Sequence, residues 1–259
     1  MRSIRKLLYI CTVCFLSFSL CLTSYAHQDR CQWYLKKHKG CCPGFPKEAL
    51  EMPDYNAFYL DTSASQKREK ILYLTFDAGY DNGNIERILD TLKAESVPAA
   101  FFLLDNIILK NTDIVTRMAE EGHLVCNHTK NHKDLSSSSY DEIERNLMAL
   151  EKIYKEKTGK EMAKYFRFPE GKYSIRALDH INKMGYKTIF WSFAYDDWDN
   201  CRQPDRERAI KKILDYTHEG AVILLHPTSK TNADILPTLI REWRSMGYSF
   251  GTLDQLTAK

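Results

Sequence analysis

The chain has 259 residues, 44% hydrophobic and 12% aromatic, a globular composition long enough for one domain with a full core and without internal repeats. Three of its 37 basic residues, Arg2, Arg5 and Lys6, stand at the extreme N-terminus, and without them bases and the 34 acids balance. A near-neutral body of this kind argues against nucleic acid as a partner, because duplex binding needs a concentrated basic surface.

In chain order, the basic residues are followed by an apolar run from Leu7 to Leu22 and by small residues at Ser24 and Ala26. This is the order of a secretory signal peptide over 1–26, with cleavage after Ala26. The run is short for a membrane span, so membrane contact is expected only through the export signal. Of eight cysteines, Cys11, Cys14 and Cys21 belong to the leader. The odd set Cys31, Cys41, Cys42, Cys126 and Cys201 remains, so at least one is unpaired. Export would allow a disulfide from Cys31 to Cys41 or Cys42; Cys126 and Cys201 read as small core residues. Residues 27–70, with Pro43, Pro46 and Pro53, read as an extended N-terminal arm that packs through Trp33, Phe45 and Phe58.

From residue 71 the pattern becomes regular, and 71–259 reads as one folded domain. Strands are expected at 71–76, 98–104, 124–127, 165–168, 187–193, 221–225 and 248–252. Helical periodicity fills 84–95, 111–121, 140–157, 174–184, 205–218 and 233–246. Ser139 ahead of Tyr140-Asp-Glu142 is an N-cap with acids in the first turn, and Gly159 closes that helix. Alternating strands and helices call for an α/β fold with a parallel sheet or barrel. About seven such units suffice to close, or nearly close, a (β/α) barrel.

Residues that carry chemistry follow the strands, where the loops of such folds gather. The first strand delivers Asp77, the first catalytic candidate, which as a lone feature reads more readily as a helix cap. His128 and His132, four apart, would share one face of a helical turn and reach one metal ion; exposed helix histidines are the plainer reading. Arg167, ahead of Phe-Pro-Glu-Gly171, is suited to hold a carboxylate bidentately. Asp196, Asp197 and Asp199 crowd a strand end beside Trp191 and Trp198, whose rings suit sugar faces or a core equally well. His226 stands at the mouth of the most hydrophobic strand and suits protonation of a leaving group.

Taken together, these segments resemble the polysaccharide deacetylases, carbohydrate esterase family 4. Thr75-Phe-Asp-Ala-Gly79, His128-Thr-Lys-Asn-His132, Arg167-Phe-Pro-Glu-Gly171, Asp197-Trp198 and Leu225-His226 answer to the five family motifs. Ala57 to Leu60, Tyr73 to Tyr80, Phe190 to Tyr195 and Ser229 to Ala233 are similar, more narrowly, to the delta-lactam-biosynthetic de-N-acetylases, which act on muramic acid of spore-cortex peptidoglycan.

The resemblance implies a distorted (β/α) barrel of about seven parallel strands that hydrolyses the N-acetyl group of an amino sugar. It implies Asp77 as base, His226 as acid, Arg167 orienting Asp77, Asp197 tuning the histidine, and His128 and His132 as ligands of a divalent metal, zinc or another transition metal. Tyr80, Glu170, Trp198 and Lys172 are implied in substrate binding. The implied partner is a peptidoglycan glycan strand, with N-acetylmuramic acid the substrate on the way to muramic delta-lactam, in the cell envelope or spore cortex. Three departures stand out: Ala78 replaces an Asp ligand of the metal, Ala194 replaces an acid of the fourth motif, and Glu170 stands where relatives have Tyr. Ala78 removes a carboxylate and should weaken metal binding. A muramic lactyl carboxylate calls for a cation, for which Lys130, Lys172 and Lys230 are candidates. The alternatives are deacetylation of chitin-like N-acetylglucosamine polymers and an inactive carbohydrate-binding relative.

Overall fold

The computed structural model describes residues 30–258; the leader expected at 1–26 lies outside the described residues. The chain runs through β1 (Cys31–Gln32), β2 (Ala57–Phe58), α1 (Thr62–Lys67), β3 (Ile71–Ala78), α2 (Ile85–Ala94), β4 (Ala99–Leu103), α3 (Asp105–Lys110), α4 (Thr112–Glu120) and β5 (Leu124–Asn127). It continues with α5 (Tyr140–Thr158), β6 (Ala163–Phe166), β7 (Lys172–Tyr173), α6 (Ile175–Lys183), β8 (Lys187–Ile189), α7 (Arg206–Asp215), β9 (Ala221–Leu225), α8 (Lys230–Ser245), β10 (Ser249–Phe250) and α9 (Leu253–Thr257).

All seven strands expected after residue 70 form, and they lie parallel in one sheet ordered β3-β4-β5-β6-β8-β2, with β9 and β10 both joined to β3. The arm supplies β2 as an additional strand. Single bridges Leu60 to Ala221 and Phe193 to Ile223 bring the two ends of the sheet together in a distorted barrel. The strand expected to reach residue 193 ends at Ile189 because the chain changes partners there. Phe190 N–H donates to Phe58 O at 2.7 Å, whereas Ser192 N–H donates to Val222 O at 2.9 Å.

Period-two alternation along β3 divides the core. Leu72, Leu74, Phe76 and Ala78 face the helical layer and pack with Ile88, Leu92, Leu236 and Trp243. Tyr73 faces the barrel interior with Ala100, Phe102, Cys126, Ile189 and Val222, closed below by Leu253 and Leu256 of α9. Thr75 and Asp77 continue this inward row toward the mouth, so the register that buries the apolar face also aims Asp77 inward.

A third cluster ties the arm down. Trp33 is buried, stacks on Phe190 at 4.6 Å between ring centroids, and donates its indole N–H to Trp191 O at 2.9 Å. Gly171 has φ +68°, and a Cβ there would lie 2.9 Å from both Trp33 and Trp191, so the loop after β6 admits only glycine. The bridge expected from Cys31 to Cys41 or Cys42 is not formed among the described residues. Cys31 is held opposite Tyr173 in the β1–β7 pair, while Cys41 and Cys42 follow a turn whose Gly40 N–H donates to Asp215 O.

Candidate active site

Asp77 ends the inward row of β3, and Arg167 reaches it from the end of β6. Arg167 is fully buried and its donors are distributed over four acceptors. One Nη donates to Asp77 Oδ1 at 2.7 Å, the other to Thr75 Oγ1 at 2.9 Å and to Phe190 O at 3.5 Å, and Nε donates to Ile189 O at 2.9 Å. The guanidinium also lies 4.1 Å from the centroid of the Phe102 ring. Burial would push the Asp77 carboxyl up, but the charge and hydrogen bond of Arg167, with the charge of His226 beyond, outweigh it and hold the group below the usual carboxylate range. Asp77 is therefore a carboxylate with one oxygen pinned and the other turned to the cleft.

His128 follows β5 directly. Its Nδ1 lies 2.9 Å from Arg167 O; a carbonyl only accepts, so Nδ1 carries the hydrogen and Nε2 presents a lone pair. Burial pushes this imidazole down to about 4, which keeps it neutral. His128 Nε2 faces Asp77 Oδ2 at 3.5 Å. Two acceptors thus confront one another without a proton between them, an arrangement that a cation satisfies. His132 brings a second imidazole to 5.1 Å from the first, centroid to centroid.

The expected helical turn from His128 to His132 is not formed. Thr129 and His132 have φ +69° and +60°, and the loop is held by side chains instead. Asn127 Oδ1 accepts from Thr129 N–H at 2.9 Å, and Asn146 Oδ1 accepts from Lys130 N–H at 2.8 Å. The spacing that suggested a helix face is met by a left-handed bend.

Across the cleft, His226 follows β9 and is held by Asp197. Asp197 Oδ1 lies 2.8 Å from His226 Nδ1, and Oδ2 accepts the His226 main-chain N–H at 2.8 Å. Nδ1–H is thereby fixed toward the carboxylate, and Nε2 faces the cleft. Burial alone would lower the His226 pKa; the hydrogen bond and charge of Asp197, with Asp77 beyond, prevail and raise it. Asn232, in the first turn of α8, donates to Asp197 Oδ2 at 2.6 Å and to His226 O at 3.0 Å, and accepts from Tyr195 Oη. Asn232, Thr75 and Tyr195 escape residue-by-residue reading of the sequence. The cue for Asn232 is its place one turn into the helix that follows His226.

The cleft has a volume of about 640 Å³ and is lined by Asp77, His128, His132 and His226 with Glu170, Trp191, Ala194, Tyr195, Trp198 and Leu224. Trp198 is 62% exposed at its rim. Tyr80, on the loop after β3, is 47% exposed and accepts from Asn200 at 2.5 Å. Other candidates point elsewhere. Lys172 is paired with Glu170 at 2.6 Å and Lys230 with Asp234 at 2.8 Å, and neither they nor Lys130 line the cleft. Asp196 and Asp199 face Lys212 and Arg202, so only Asp197 of the three acids turns inward. Ala78 belongs to the helix-facing core.

The sequence matches the polysaccharide deacetylase family over residues 64–189. An uncharacterized 30.6 kDa protein of Geobacillus stearothermophilus is 39% identical over 97% of this chain and 94% of its own length. The chain belongs to the polysaccharide deacetylase family. It is 37% identical to the peptidoglycan-N-acetylmuramic acid deacetylase PdaA of Bacillus subtilis, over 78% of this chain and 75% of that protein. The structure of Bacillus subtilis PdaA, a family 4 carbohydrate esterase, superimposes with a TM-score of 0.82 at 33% identity, covering 88% of this chain and 96% of that one. Family membership makes this chain a hydrolase of the deacetylase class. Deacetylases of the family are generally metal-dependent. His128 and His132 fit a divalent ion as two imidazole nitrogen donors beside a carboxylate, although no group of three or more His, Cys, Asp or Glu arranged to hold a metal occurs among the described residues.

Proposed function

We propose that this protein hydrolyses the N-acetyl group of an amino sugar in peptidoglycan, that N-acetylmuramic acid is its substrate, and that the product proceeds to muramic delta-lactam. The observation that carries the reading is the opposition of two tuned pairs across one cleft, Asp77 with Arg167 and His226 with Asp197. They set an ionised base against a histidine held toward its protonated form, which is the division that amide hydrolysis needs. Similarity to PdaA supports the choice of sugar.

In this reading Asp77 Oδ2, the oxygen not bonded to Arg167, takes a proton from the attacking water. His226 Nε2 gives a proton to the amine nitrogen as the carbon–nitrogen bond breaks, releasing acetate and a free amino sugar. Asp197 holds the imidazolium that must lose that proton, and Asn232 keeps Asp197 in place. His128 and His132 are the donors that would hold a divalent metal, whose chemistry there is polarisation of the acetyl carbonyl. Trp198 and Tyr80 offer ring faces to the sugar. Residues 1–26 would export the chain to the envelope or spore cortex, where this substrate lies.

Acetate release and mass spectrometry of muropeptides distinguish the outcomes. Wild type should deacetylate muramic acid in peptide-stripped strands, and Asp77→Asn should not. Loss of acetyl from chitin-type oligomers with muramic acid intact would sink the substrate claim. The two-donor metal site, with Ala78 in place of a third ligand, favours one second reading, a carbohydrate-binding relative without catalysis. No acetate release with any divalent metal would favour it.

A further inference from the structure

Beyond the wall formed by Trp191, Ala194 and Tyr195, a second and smaller cavity of about 250 Å³ adjoins the catalytic cleft. These three residues line both spaces, and the second is completed by Leu35, Lys37 and Asp196. The small, uncharged Ala194 leaves the wall low and puts no charge between the two. Lys37 comes from the N-terminal arm, which Trp33 anchors a few residues earlier, and its ammonium lies 5.9 Å from the Phe193 ring centroid.

The charges around Lys37 are unequally satisfied. Asp196 is turned toward Lys212 at 3.7 Å, and Lys172 and Lys230 have their own carboxylates. Among the described residues Lys37 makes no ion pair, although it lines a cavity that shares three wall residues with the catalytic cleft. Burial and the neighbouring Lys212 lower its pKa, while Asp196 acts in the opposite sense. Lys37 is itself exposed, so what an incoming anion chiefly offsets is the repulsion from Lys212.

We propose that Lys37 is a specificity residue that binds a carboxylate carried by the glycan in this adjoining subsite. The inference rests on the reading of the protein as an amino-sugar deacetylase and deepens it: the favoured glycan carries a free acid, as a muramic lactyl group without its peptide does, and the arm supplies the cation. An exposed single-charge contact predicts a roughly three- to fivefold effect, erased by salt.

The test compares a peptide-free tetrasaccharide of alternating N-acetylglucosamine and N-acetylmuramic acid with the same oligosaccharide whose lactyl carboxylates are methyl amides. Lys37→Met should raise KM for the acidic form about three- to fivefold, leave its kcat in place, and lower the acidic-to-amide ratio of kcat/KM by the same factor. Lys37→Arg should retain the preference. Lys39→Met, which removes an arm lysine paired with Asp215, should leave the ratio at the wild-type value. An unchanged ratio in Lys37→Met, or equal losses on both forms, overturns the proposal. If wild type releases acetate from neither form, the deacetylase reading has failed separately. Calorimetric binding of the two oligosaccharides to wild type and Lys37→Met then decides the subsite by the same ratio.

Discussion

Asp77 and Arg167, ninety positions apart in the chain, meet in a 2.7 Å hydrogen bond at the mouth of the barrel. The guanidinium is fully buried and its remaining donors are used on Thr75, Ile189 and Phe190, so it cannot turn away without stranding several acceptors. The Asp77 carboxylate is thereby held in one position and one charge state.

Arg167→Met should destabilise the fold by about 3–5 kcal/mol at neutral pH, because Asp77 is left buried without its counter-charge. The folded Asp77 pKa is depressed, so its stabilisation is present above the ordinary 3.8 and lost as pH falls through the lower folded value. In the variant burial prevails, the folded pKa rises above 3.8, and acidification should recover stability relative to wild type. Urea unfolding across pH measures both effects.

Asp197→Asn should move the alkaline limb of the kcat/KM profile to lower pH. The His226 pKa is raised above 6.5, so its contribution to stability is full below that value and is lost as pH rises through the folded pKa. Without the carboxylate, burial lowers the pKa and the protonated acid is depleted earlier. An alkaline limb that stays in place would remove His226 from the role of acid.

Asn232→Ala should cost about 1–3 kcal/mol and lower kcat about tenfold, since Asp197 Oδ2 loses a buried donor and the histidine loses its brace. Steady-state kinetics and thermal unfolding on one preparation would show the two losses together. Loss of stability with kcat intact would make Asn232 structural alone.

Trp198→Ala removes an exposed ring. KM should rise by roughly three- to tenfold, equivalent to about 1 kcal/mol of aromatic stacking, with the unfolding midpoint unchanged. A fall in kcat alone would place Trp198 at the reacting centre instead of the sugar face.

With two imidazole donors, wild type should lose activity to a chelator and regain it on addition of a transition metal. His132→Ala should raise the metal concentration for half-activity by at least about tenfold. Calorimetric titration of the apoprotein with zinc follows the same binding without substrate.

The parallel strands were legible because their interiors are apolar on both faces and their ends are punctuated by polar residues. Asp77, Arg167 and His226 were legible for the same reason, each being a charged or titratable side chain directly after an apolar run. What escaped depends on distant partners. The left-handed bend at Thr129 and His132 joins a local Asn127 turn to Asn146 of α5, and it is the Asn146 contact that no local propensity reveals. Lys172 and Lys230 stood in the right loops, but Glu170 and Asp234 had prior claim on their ammonium groups. Asn232 reads as an ordinary helix residue until α8 is folded back against Asp197.

The pairing of β2 with β8 bears on the order in which the molecule is completed. A segment near the start of the folded body closes the sheet only after β8, far downstream, has been made, so the arm must wait as an uncommitted strand while the rest assembles. Such a distant parallel pairing is slow to form. Until it forms, the open flank of β8 offers a template for another chain. Shortening the arm past Phe58 should therefore show itself first as poor yield and association of chains, before any measurement of catalysis.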